Sequence, residues 1–130
     1  MPPRVLVVED DATTREALSR VLTAEGCVVE MAVDGEKAIG CLAQHRYDAI
    51  VLDIVLPKLS GTDVMEYIAS TRPETLASII VVTGLDVTEI RKLFPTVCET
   101  LSKPVIPGRL VGSVRRCLRT SNSQSDVSVA

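Results

Sequence analysis

Residues Arg4–Leu18 read RVLVVEDDATTREAL. A run of apolar residues, Val5 to Val8, passes straight into three acids, Glu9, Asp10 and Asp11, and then into a stretch with helical character. Apolar residues without polar alternation predict a strand covered on both faces, as in a parallel sheet. Three like charges at the mouth of a buried strand repel one another, so their presence demands an explanation.

The same grammar recurs along the chain. Further apolar runs are VVEMA (Val28–Ala32), AIVL (Ala49–Leu52), SIIVV (Ser78–Val82) and a weaker CETLS (Cys98–Ser102). Between them lie stripes at helical spacing. Leu18, Val21 and Leu22 make the first, closed by Gly26. Ala38, Ile39, Leu42 and Ala43 make the second, weakened by Gly40. Val64, Met65 and Ile68 make the third, begun near Gly61. Val87, Ile90, Leu93 and Phe94 make a short fourth, cut by Pro95. Leu110, Val111, Val114, Cys117 and Leu118 make the fifth, entered through Pro107. Strand and helix alternate five times, which predicts an α/β fold with a five-stranded, doubly wound parallel sheet. Residues 1–119 are expected to form one domain, and the polar, Ser-rich residues 120–130 a frayed, disordered tail.

Composition narrows the function. With 14 basic and 17 acidic residues the net charge is −3, and no Lys/Arg cluster forms a basic stripe, so nucleic-acid binding is not expected. The aromatic residues are Tyr47, Tyr67 and Phe94, too few for a stacking platform. His45 is expected on the solvent side at the end of the second helix. Cys27, Cys41, Cys98 and Cys117 form no CxxC pair and have no histidine at ligand spacing, which argues against zinc. They read as small buried hydrophobes in a reducing cytosol. No apolar run approaches the roughly 20 residues that span a bilayer, and MPPR is no signal peptide. A soluble, cytoplasmic protein without membrane contact is the expectation.

In open α/β sheets, sites form beyond the carboxyl ends of the strands. The first run is followed there by Glu9, Asp10 and Asp11, the third by Asp53, the fourth by Thr83 and the fifth by Lys103 and Pro104. Right-handed crossovers bring these ends to one edge. Carboxylates gathered there stay ionised only beside a cation, and Mg²⁺, a hard oxygen-seeking ion, suits them. Asp11 is also a candidate helix N-cap. Neither GxGxxG nor GxxxxGK[ST] occurs, and an acidic first loop would repel a flavin phosphate.

With these residues in view, the chain resembles the receiver domain of bacterial two-component response regulators, from Arg4 to about Leu118. The resemblance rests on VLVVEDD, LDIVLPKLSG (Leu52–Gly61), VVTG (Val81–Gly84) and SKP (Ser102–Pro104), in order and each at a strand end. It implies the flavodoxin-like receiver fold. It implies Asp53 as the acceptor of a phosphoryl group from a histidine kinase or histidine phosphotransfer protein. Glu9, Asp10, Asp53 and the backbone carbonyl of Val55 would hold Mg²⁺ (Mn²⁺ is possible), with Glu9 acting through water. Thr83 and Lys103 would bind the phosphoryl group, and Lys103–Pro104 would be cis. Output would pass to a protein target through the face of the fourth helix, fifth strand and fifth helix. The implied role is a switch or relay, not a turnover enzyme.

The chain departs from the family around that face. Thr100 stands where an aromatic switch residue is common, Val105 follows the Lys-Pro pair, and nineteen residues separate Thr83 from Lys103. An atypical output face is expected. Apolar Val55 and Leu85, two residues after Asp53 and Thr83, predict slow hydrolysis of an aspartyl phosphate. Two other readings are a Mg²⁺-dependent aspartyl-phosphate phosphatase, which would want a second acid where Val55 stands, and a scaffold that is never phosphorylated.

Overall fold

In a computed structural model the backbone is described for residues 2–129 and the side chains for residues 2–118. The elements are β1 (Arg4–Val8), α1 (Ala12–Ala24), β2 (Val28–Ala32), α2 (Gly35–Gln44), β3 (Ala49–Asp53), α3 (Gly61–Thr71), a 3₁₀ segment (Pro73–Ser78), β4 (Ile79–Thr83), α4 (Val87–Leu93), β5 (Glu99–Ser102) and α5 (Pro107–Val129). The strands form one parallel sheet in the order β2-β1-β3-β4-β5. The expected architecture is therefore the observed one.

The two faces of the sheet divide the apolar runs by parity. Leu6, Val8, Ile50, Leu52, Ile79 and Val81 pack against Ala38, Leu42, Val64, Ile68 and Ile90 from α2, α3 and α4. Val5, Val7, Ala49, Val51, Ile80 and Val82 pack against Leu18, Leu22, Leu110, Val114 and Cys117 from α1 and α5. Every residue of β3 and β4 is buried. That double coverage is why these runs are continuous rather than alternating. β2, at the sheet edge, leaves Val28 and Met31 exposed.

The helices begin at the carboxyl edge of the sheet, and α1 to α4 each start on a side-chain cap. Asp11 accepts from the Thr14 amide, Asp34 from Lys37 and Asp86 from Thr88 and Glu89, while Ser60 and Asp63 form a reciprocal capping box. The expected cap at Asp11 is confirmed, and its bonds to Thr14 hold the Asp11 carboxyl below its ordinary range. α4 is short, as Pro95 predicts, and ends with Phe94 as its C-cap. The 3₁₀ segment was not expected, because Pro73 opens it without an apolar stripe to mark it.

The cysteine reading needs correction. Cys98, just before β5, and Cys117, on α5, form a disulfide with Cα atoms 6.0 Å apart. Sequence spacing hid the pair, because the 19-residue separation closes only when α5 folds back along β5. Cys27 and Cys41 are free, and Cys27 alone behaves as a fully buried hydrophobe, with burial pushing its thiol up. His45 caps the end of α2 half-buried, its ring edge-on to Tyr47. The expected tail, residues 120–130, lies outside the residues whose side chains are described. Among the described residues no helix is long and apolar enough to cross a membrane.

Candidate functional site

Three neighbouring strands and a fourth bring the site together. Glu9 follows β1, Asp53 ends β3, Thr83 ends β4 and Lys103 follows β5. The strand order places β1, β3, β4 and β5 side by side, so the four positions line one edge. The Glu9 amide still donates to Ala32, and the Lys103 amide to the Thr83 carbonyl at 2.8 Å, so the ladder continues into the site. The Lys103–Pro104 peptide is cis, as the sequence resemblance implied.

Lys103 reaches back across β4. Its Nζ lies 2.7 Å from Asp53 Oδ2 and 2.9 Å from Glu9 Oε1. Glu9 and Asp53 are 1% and 3% exposed, which makes that ammonium the cation their charges require. Burial alone would lower the Lys103 pKa. Its hydrogen bonds to Asp53 and Glu9, with their charges, outweigh burial and raise it. The cation inferred from the crowded acids is thus supplied in part by the protein itself.

The remainder fits a divalent ion. Glu9, Asp10 and Asp53 each place a carboxylate oxygen within 4.8 Å of the others. Their three charges against the one of Lys103 leave two uncancelled. Glu9 Oε1 is buried, and among the described residues the Lys103 ammonium at 2.9 Å is its one polar partner. The Asp10 carboxylate makes no hydrogen bond or ion pair among the described residues and is exposed. An all-oxygen donor set with unsatisfied lone pairs matches Mg²⁺ or Mn²⁺ and not zinc.

The backbone orients the reactive groups. The Val55 amide donates to Asp53 Oδ1 at 3.0 Å, and the Leu85 amide donates to Thr83 Oγ1 at 2.9 Å. Each bond spans two residues, so each strand end fixes its own polar side chain. The Val55 and Leu85 side chains are exposed above them. Asp53 thus has Oδ1 held by an amide and Oδ2 by an ammonium, an arrangement that fixes the orientation of the carboxylate.

Two supporting residues escaped the sequence reading. Arg15, in the first turns of α1, donates to the carbonyls of Glu9 at 3.0 Å and Asp10 at 3.2 Å and so holds the acidic turn. Its only trace in the sequence is a basic residue six positions after Glu9. Gly61 was read in the sequence as the start of the third helical stripe. Its actual constraint is proximity: a Cβ there would lie 2.5 Å from the Asp53 carbonyl oxygen and 2.6 Å from Ile54 Cα. The start of α3 therefore sits directly against the end of β3.

Comparison with known proteins agrees with this geometry. The response regulator receiver domain family matches residues 5–115. The response regulator MprA of Mycobacterium sp. (strain KMS) is 38% identical over 124 residues, covering 94% of this chain and 53% of that protein. The chain thus spans about half the length of the curated relatives it matches. Among solved structures, the CheY-like receiver domain protein from Methanospirillum hungatei JF-1 superposes with a TM-score of 0.86 at 25% identity, covering 95% of this chain and 99% of that one. The receiver domain of a Luxo repressor protein from Vibrio parahaemolyticus gives 0.87 at 27% identity, covering 98% of each chain. The chain belongs to the response regulator receiver domain family.

Proposed function

We propose that Asp53 is the phosphoacceptor of a two-component or phosphorelay system, and that its phosphorylation switches protein contacts. The observation that carries this is the bridge of Lys103 Nζ to Asp53 and Glu9 beside an acid cluster left short of positive charge. An Asp53 carboxylate oxygen attacks the phosphorus of a phosphohistidine on a histidine kinase or histidine phosphotransfer protein. The P–O bond forms, the P–N bond breaks, and the imidazole leaves with the electron pair. Such transfer needs mainly positioning and charge neutralisation.

Each residue has a part in that requirement. Lys103 moves from a carboxylate partner to a phosphoryl oxygen and stays a cation throughout. Thr83 offers its hydroxyl to a second oxygen. Glu9, Asp10, Asp53 and the Val55 carbonyl would hold Mg²⁺ or Mn²⁺, with Glu9 reaching it through water. When bound, such an ion neutralises charge on the incoming phosphoryl oxygens. The aspartyl phosphate then adds up to about two negative charges and three acceptor oxygens at the edge of β3 and β4. Thr83 and Lys103 carry that change toward α4, β5 and α5. The reading places the domain in the cytoplasm and gives it one slow hydrolysis per event rather than turnover. Val55 stands where the phosphatase alternative would need its second acid.

The test is intact mass after incubation with Mg²⁺ and acetyl phosphate. One added phosphoryl group is expected, absent with chelator and absent in Asp53→Asn. An adduct that survives in Asp53→Asn refutes the assignment, and so does none at all on a folded, metal-supplied sample offered both acetyl phosphate and a phosphorylated histidine donor.

A further inference from the structure

Cys98 and Cys117 are bridged, while Cys27 and Cys41 stay free. In the reducing cytoplasm of the proposed function, disulfides that do form are typically transient and catalytic or redox-sensing. The fold does not depend on this bridge for support. Without it, α5 is still anchored by Leu110 and Val114, 0% and 3% exposed in the core beneath α1 and α5. Arg115 of α5 also bonds Glu25, the C-cap of α1, at 2.8 Å.

The two sulfurs are unequally placed. Cys117 lies on the inner side of α5, 1% exposed and packed in the core cluster. Cys98, in the connection between α4 and β5, is half-buried. An incoming thiolate therefore has access to Cys98 and not to Cys117. The neighbours of the pair keep it ready to close again. Glu99, next to Cys98, and Arg116, next to Cys117, meet at 2.6 Å. Partly exposed, this ion pair adds little stability by itself. Together with the packing of Leu110 and Val114, it holds α5 in register with β5 one residue from the bridge. Two thiols held opposite each other reclose the bond as an intramolecular step.

We propose that Cys98–Cys117 is a reversible thiol–disulfide exchange site whose co-reactant is a dithiol. A thiolate of the dithiol attacks Cys98 Sγ. A new S–S bond forms there, the bond to Cys117 breaks, and Cys117 leaves with the electron pair and takes up a proton. The second thiol of the dithiol then attacks the reductant's own sulfur in the mixed disulfide and releases Cys98 as a thiol. The cysteine pair gains two electrons and two protons, and the dithiol, closing to its own disulfide, loses them. Reduction leaves α5 seated on the sheet but no longer fastened to β5. The inference takes from the proposed function only its reducing compartment.

The test uses the full chain, oxidised, folded and at neutral pH. Dithiothreitol is added at graded ratios to its own oxidised form. The exchange is stopped with excess N-ethylmaleimide in denaturant, and the labelled cysteines are mapped by peptide mass. Cys98 and Cys117 should gain label together, with Cys27 and Cys41 labelled throughout. Transfer of reduced protein into oxidised dithiothreitol should restore the Cys98–Cys117 pair. In folded single variants, maleimide should label Cys98 in Cys117→Ser at least about tenfold faster than Cys117 in Cys98→Ser, because access differs. A bridge that opens only in denaturant, reoxidation into pairs with Cys27 or Cys41, or Cys117 labelled as fast as Cys98 each overturn the proposal. The wild-type measurements decide the matter even where a variant fails to fold. Because phosphoryl uptake is read separately by mass, a protein that takes up phosphate but keeps an inert bridge sinks this inference alone.

Discussion

Reducing the Cys98–Cys117 disulfide should lower the stability of the domain by about 3 kcal/mol. The bond joins residues 19 apart, so it closes a loop of about 20 residues in the unfolded chain. The chain-entropy relation gives a loss of about 11 cal/mol/K for that loop, or about 3.3 kcal/mol at 25 °C. Cys117 is 1% exposed and belongs to the cluster under α5, so the folded partners stay apposed after reduction. The loss therefore falls mainly on the unfolded state. The assay is urea denaturation followed by circular dichroism, with and without a phosphine reductant. With an m value of about 2 kcal/mol/M, the midpoint should drop by about 1.5 M. Cys98→Ala/Cys117→Ala should be insensitive to reductant, although truncating a buried thiol adds its own packing loss. A midpoint that moves by less than about 0.3 M refutes the entropic reasoning. Four titratable thiols in unfolded, non-reduced protein would refute the pairing itself.

Other predictions probe the site and its supports. Gly61→Ala should destabilise by about 1–3 kcal/mol and slow phosphoryl uptake, because its Cβ would press on the Asp53 carbonyl and Ile54 Cα, both backbone. Denaturation midpoint and uptake rate read the two effects, and wild-type values in both would count against the close approach. Arg15→Ala should cost about 1 kcal/mol and weaken Mg²⁺ binding by calorimetry, since two carbonyls of the acidic turn lose their donor. Unchanged metal affinity would show that the turn holds itself. The Tyr47 hydroxyl, at 2.7 Å, holds the Glu30 carboxyl below its ordinary range, aided by Arg4, also at 2.7 Å. A depressed folded pKa stabilises above the unfolded value near 4.5 and is lost as pH falls through the folded one. Glu30→Gln should therefore flatten the acid limb of stability below that pH, and an equally steep limb would rule this out. Finally, the apolar Val55 and Leu85 side chains offer no group to orient water above Asp53. The aspartyl phosphate should last minutes or longer, and decay within seconds at neutral pH would contradict that account.

Most of the site could be read from the chain because its residues sit where a local rule applies. Asp53, Thr83, Lys103 and the acids after β1 each directly follow or end an apolar run, and strand ends in a parallel sheet meet at one edge. Arg15 and Gly61 obey no such rule. One acts through backbone carbonyls a helix turn away, and the other through the absence of a side chain against a neighbouring strand. The 3₁₀ segment was invisible for a related reason: six residues without a buried side chain leave no periodicity.

By itself the sequence determined the five β/α units, the cap of the first helix and which polar groups gather at one sheet edge, all consequences of short-range pattern and of burial on two faces. Only the tertiary structure decided which groups touch. The Lys103 ammonium, the nearest cation to the buried carboxylates, reaches them because β5 lies beside β4. Cys98 meets Cys117 because α5 returns along β5. Contacts between residues far apart in the chain depend on how the layers pack, and no window along the sequence contains that information.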